Sequence, residues 1–90
     1  MENMNRNIPQ QRSFTAMIAA YQHAADLLEE RRIELRNELR DLLAHKAGTR
    51  ASANREADLA RRIVLLREER EDLLDAIVQI RPYAEMEAQS

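Results

Sequence analysis

Two runs of apolar residues, spaced alternately four and three apart and separated by the only glycine, constrain this 90-residue chain more than any other feature. In the first run Phe14, Ile18, Tyr21, Ala25, Leu28, Leu35, Leu39 and Leu42 fall at the d and a positions of a heptad; in the second Leu59, Ile63, Leu66, Leu73, Ile77 and Ile80 do the same. That spacing aligns the side chains in one stripe along an α-helix, the seam of a coiled coil. Each run is broken once, both times by an arginine at an a position: Arg32 and Arg70.

The boundaries follow from local chemistry. Ser13 stands just before the first periodic residue, where its hydroxyl can accept a first-turn amide. Gly48 can take the left-handed conformation that ends a helix, and Thr49, Ser52 or Asn54 can cap the next one. Pro82 lacks an amide donor and disfavours helix in the residue before it, so the second helix is expected to stop there. The expected layout is a tail over 1–12, a helix over 13–47, a turn over 48–51, a helix over 52–81 and a tail over 82–90. Helices of roughly 50 and 45 Å, at ~1.5 Å per residue, joined by so few residues make an antiparallel two-helix hairpin. A single continuous helix is disfavoured, because glycine costs about 1 kcal/mol relative to alanine in a helix interior.

Charges choose between two registers a heptad apart. A turn near Thr49 sets Glu29 opposite Arg67, Arg31 opposite Glu69 and Glu38 opposite Arg62. A turn near Ser52 to Ala53 sets Arg36 against Arg67, Glu38 against Glu69 and His45 against Arg62. Exposed pairs contribute only a few tenths of a kcal/mol each, yet exchanging three attractive contacts for three repulsive ones shifts the balance by ~2 kcal/mol. The short turn is expected, with Arg32 near Leu66 and Arg70 near Leu28. A guanidinium in that seam cannot lose its proton and needs an acceptor. Either the two arginines bind an anion, or their stems cover Leu28 and Leu66 while their heads reach Glu29, Glu69 or Asp72 and fix the register. The second reading is preferred.

A further apolar stripe lies beside the seam. Ala57, Ala60, Val64, Leu74 and Val78 of the second helix share a side of the hairpin with Ala19, Ile33, Leu43 and Ala47 of the first. The other side carries Arg31, Glu34, Glu38, Asp41, Asp58, Arg62, Glu69 and Asp72 and reads as solvated. An isolated hairpin gains nothing from Ile33, Leu43, Ala57, Ala60, Val64, Leu74 and Val78 outside its seam. They are therefore expected to form the interface of a homodimer, a four-helix bundle of two hairpins.

Other chemistries find little footing. Acidic and basic side chains are interleaved, with a net charge of −2, so nothing draws in a nucleic acid backbone or an anionic membrane surface. There is no cysteine, no apolar run approaching ~18 residues and no secretory signal pattern, which leads to a cytoplasmic expectation. His23 and His45 lack partners at metal-binding spacing, and neither a catalytic triad nor a phosphate loop can be assembled; no metal, cofactor or catalytic residue is expected.

Two resemblances bear on function. "YQHAADLLEERRIELRNELRDLL", followed by a short connection and "READLARRIVLLREEREDLLDAIVQI", resembles the N-terminal helical hairpin of phage and mobile-element regulators related to bacterial sigma factors. In that family the hairpin precedes a DNA-binding helix-turn-helix, whereas only a short stretch follows Pro82 here. The DNA-reading module of that family is not matched, and the two apolar stripes without a catalytic constellation lead to a non-enzymatic interaction protein, a dimerising hairpin acting as a scaffold or accessory factor for a regulator or phage-type assembly. "HKAG" followed by "READLARRI" resembles the all-helical chorismate mutases, which would match Lys46, Arg55 and Glu56 to substrate-binding positions. The upstream arginines do not keep that family's spacing. The other alternative is a nucleic-acid-associated regulator using Arg32, Arg36, Arg40, Arg61 and Arg62.

Overall fold

A computed structural model describes residues 13–45 and 48–89. Two helices account for almost all of them, α1 over Phe14–Ala44 and α2 over Arg50–Gln89, packed along each other as a hairpin. No strand occurs among the described residues. The expected 13–81 hairpin is therefore present, with revised ends.

α1 starts where the sequence places it. Ser13 has extended backbone (φ −62°, ψ 153°), and its Oγ accepts the N–H of Ala16 at 3.1 Å. The helix ends earlier than expected, at Ala44. The N–H of His45 is shared between the carbonyls of Asp41 and Leu42, each at 3.2 Å, the bifurcated bonding typical of a tightening last turn. Lys46 and Ala47 lie outside the described residues.

The turn settles on one of the three candidate caps. Gly48 has φ +73°, a conformation that an L side chain adopts at a cost. Thr49 Oγ1 then accepts the N–H of Ser52 at 3.1 Å, while its carbonyl accepts Ala53 N–H at 3.0 Å. α2 thus begins at Arg50, two residues before the expected start, because the first good acceptor after the glycine is already in place at Thr49.

The larger departure is at the other end. α2 does not stop at Pro82 but runs through it to Gln89, so the expected tail over 82–90 is helical as far as it is described. Counting heptads from Ile77 puts Pro82 at the f position, farthest from the seam. The missing amide bond and the displaced carbonyl of Val78 therefore face solvent, where water can serve the carbonyl. The seam itself resumes with Ala84, which is buried, at the next a position.

The register is the short-turn one. Phe14 meets Tyr83, with ring centroids 5.5 Å apart, and Glu29 of α1 lies beside Arg70 of α2. Among the described residues only Ala25, Leu35, Leu59, Ile77 and Ala84 are buried. Most other seam residues, including Leu28, Leu39, Leu66 and Leu73, remain half-covered, since two helices alone cannot enclose a seam. No described helix is long and apolar enough to cross a membrane.

Candidate interaction surface

The heptad positions flanking the seam give the hairpin two broad faces, and they differ in how their charges are used. On the face built from g and c positions, most charges towards the turn are paired within the chain, while Glu69 and Asp72 are not. Arg31 binds Glu34 at 2.9 Å, Arg55 of α2 bridges to Glu38 of α1, and Asp58 collects Arg61 at 2.9 Å, Arg62 at 3.6 Å and Arg55 at 3.7 Å. These pairs are exposed and individually weak. A shallow open groove of about 240 Å³ runs between Arg31, Leu35, Arg62, Leu65, Leu66 and Glu69.

The face built from b and e positions carries the residues expected at an interface. Val78 is 68% exposed, Val64 48%, Leu43 47% and Ile33 37%, with Ala57 and Ala60 also exposed and Leu74 half-buried. All seven residues are brought to one side of the hairpin by their heptad positions. Ala19 joins them as an exposed residue, while Ala47 is outside the described residues. Charged residues flank this strip, and here Arg36, Arg50, Arg67, Glu71, Arg81 and Glu85 form no ion pair within the described chain.

The seam arginines resolve around a single carboxylate. Arg32 donates to Glu29 through Nε at 2.9 Å and a terminal nitrogen at 2.7 Å, a fork geometry that only arginine provides. Arg70 approaches the same carboxylate from α2 but stops at 4.0 Å, and its Nε is buried without a hydrogen-bond partner. The Arg32 hydrogen bonds hold Glu29 below the usual carboxylate range, opposed by desolvation and assisted by the charges of Arg32, Arg70 and Arg36; Glu29 in turn holds Arg32 raised. Glu29 thus holds Arg32 by two hydrogen bonds and lies 4.0 Å from Arg70, while neither Glu69 nor Asp72 pairs with either arginine.

The expected cross-seam pairs are not those formed. Glu29 takes Arg32 in place of Arg67, Arg31 takes Glu34 in place of Glu69, and Glu38 takes Arg55 in place of Arg62. For Glu29 and Arg31 the partner is a neighbour one turn away on the same helix, reached with less side-chain ordering than one across the seam, whereas Glu38 still pairs across the hairpin, with Arg55. The turn position was correct although its pairs were not.

Residues proposed for other chemistries do not converge. Arg36, Arg40, Arg61 and Arg62 sit at e, b, f and g positions and so spread around the hairpin, with Arg61 and Arg62 tied to Asp58. Of the chorismate-mutase-like positions, Lys46 is outside the described residues and Arg55 is engaged with Glu38. His45 places Nδ1 3.0 Å from the carbonyl of Asp41, and no group of metal-ligating residues occurs among the described ones.

Three contributors escaped sequence reasoning. Leu27 and Leu65, both 51% exposed, add apolar surface to the g/c face at c positions. Glu87, inside the supposed tail, accepts the N–H of Phe14 with both carboxylate oxygens, at 2.9 and 3.0 Å. Its signal was present in the heptad count, which places it at a d position one turn beyond Ala84. No family model, curated protein or solved structure matches this chain.

Proposed function

We propose that the chain is a non-enzymatic protein–protein interaction module that works as a homodimer, two hairpins packed through their b/e faces as a four-helix bundle. In this reading it serves in the cytoplasm as a scaffold or accessory factor for a regulator or phage-type assembly. The observation that carries the reading is the strip of exposed Ile33, Leu43, Val64 and Val78 with half-buried Leu74, on a hairpin whose own seam is only partly covered.

A fully buried aliphatic side chain contributes about 1.5 kcal/mol or more. Two copies of this strip, already partly shielded, represent on the order of 10 kcal/mol gross, comparable with the ~4–15 kcal/mol cost of association. Dimerisation would also cover the half-buried seam.

Light scattering and sedimentation at micromolar concentration test this directly. The wild-type chain is expected at twice its monomer mass of 10.5 kDa, and the Val64→Glu, Leu74→Glu double variant at the monomer mass with its helix content retained. A wild-type monomer, or a double variant of unchanged mass, would defeat the reading. Affinity capture from the native host then addresses the partner that the dimer serves.

A further inference from the structure

Charges along the b/e face are sorted by sign. Towards the turn the strip is flanked by Arg36, Arg40 and Arg50, and towards the open end by Asp26, Glu71 and Glu85, with Arg81 the one exception. All of these side chains are exposed. The turn half of the g/c face is not basic in this way, since there Arg31, Arg55 and Arg62 are interleaved with Glu34, Glu38 and Asp58 and paired to them.

We propose that the second copy lies antiparallel to the first, related by a two-fold axis across the hairpin, so that the turn half of each face covers the open half of the other. The proposal rests on the dimer reading above. It follows from charge complementarity, because a parallel pair would stack the arginine-rich halves on each other and the acidic halves on each other, leaving both repulsive. An axis passing between Arg67 and Glu71 fits best. Arg67, unpaired within the chain, then faces Glu71 of the second copy, and the isologous contact repeats on the other side of the axis. The same alignment sets Val64 opposite Leu74 and the small Ala60 opposite Val78, so that large residues meet small or medium ones.

Glu29 is the like-charge contact to examine, because it comes close to its own copy near the axis. Its carboxylate is already neutralised by the two hydrogen bonds from Arg32 and by the nearby Arg70. Faces of about 60 Å by two helix widths also suffice for the ~800 Å² per partner of a standard interface.

The absence of cysteine makes single-site spin labelling clean. Ala53→Cys labels the turn end and Glu68→Cys the middle of α2, and both positions are exposed. In the antiparallel dimer, electron–electron distance measurements are expected to give about 50 Å between Ala53→Cys labels and under about 30 Å between Glu68→Cys labels, from ~1.5 Å per residue either side of the axis. Asn54→Cys provides a second turn-end label should Ala53→Cys perturb folding. A dimer by light scattering with turn-end labels under about 30 Å apart would overturn the antiparallel arrangement while leaving the dimer reading intact. A monomer by light scattering would overturn both.

Discussion

The carboxylate of Glu87, near the end of α2, accepts the backbone N–H of Phe14 at 2.9 and 3.0 Å and approaches that of Thr15 at 3.4 Å. The first amides of a helix have no intrahelical partner, and their aligned dipoles favour negative charge. Ser13 satisfies Ala16, so Glu87 supplies from the opposite helix what the local cap leaves undone. The contact also locks the register at the open end, 73 residues away in sequence.

Removing that carboxylate should therefore loosen the open end. Glu87→Ala is expected to lower stability by ~1 kcal/mol, in the range of a lost helix cap, with Glu87→Gln retaining part of it. Amide hydrogen exchange should show faster exchange at Phe14 and Thr15 in the alanine variant, with protection around Leu35 and Leu59 unchanged. Unaltered exchange at Phe14 would remove the capping role.

Pro82 interrupts an α2 that continues for seven more residues. Since its helix conformation is already adopted, replacing it with alanine should restore an amide donor to Val78 and stabilise the hairpin by ~1–3 kcal/mol, the upper figure being the full cost of proline in a helix interior. Truncation after Arg81 should act in the opposite direction, because it removes Ala84, Glu87 and the Tyr83 ring against Phe14. Urea unfolding curves for the two variants should move to either side of the wild-type midpoint. Truncation without effect would return 82–89 to the status of a tail.

The contrast between the two ends of α2 explains what the sequence could reveal. The seam was legible because about twenty turns of helix repeat one pattern, and the turn was legible because glycine and threonine stand together at a break in it. The proline was misread because a local rule was applied without its heptad position; at f its defects face water, and Ala84 at a and Glu87 at d show the seam continuing. Pair identities such as Glu38 with Arg55 were not legible, since several partners lie within reach of each long side chain and differences of tenths of a kcal/mol decide among them.

Gly48 tests the turn. Its φ of +73° is strained for any residue with a Cβ, although a Cβ there would meet no atom within 4 Å. Gly48→Ala should thus cost about 1 kcal/mol through backbone conformation alone, and Gly48→Asn less, because asparagine tolerates the left-handed region. Thermal melts of the two variants should rank asparagine above alanine. The reverse order would mean that the turn relaxes into another conformation.

Acidification should act on Glu29. Its carboxyl is held below the ordinary value of 4.5, first by the Arg32 hydrogen bonds, so its folded-state proton affinity is the lower one. A carboxyl depressed on folding contributes stability that is present above its unfolded value and is lost as pH falls through the folded value. Melting temperatures should therefore drop below about pH 4.5, and Glu29→Gln should flatten that part of the profile while lowering stability at neutral pH. An identical acid limb in both proteins would assign the loss to other carboxylates.

Arg70 is expected to behave differently from Arg32, although both occupy a positions. Arg32 has its acceptor in place, whereas Arg70 stands 4.0 Å from the carboxylate it shares and leaves Nε buried without a partner. A buried polar group without a hydrogen bond is destabilising, and an aliphatic side chain of similar reach can replace it without that penalty. Arg70→Met should accordingly leave the hairpin as stable as wild type or up to ~1 kcal/mol more stable, while Arg32→Met should destabilise it by stripping Glu29 of both close hydrogen bonds. Denaturant midpoints of the two variants decide the matter. If Arg70→Met proved the more damaging, its guanidinium would have to find an acceptor outside the single hairpin.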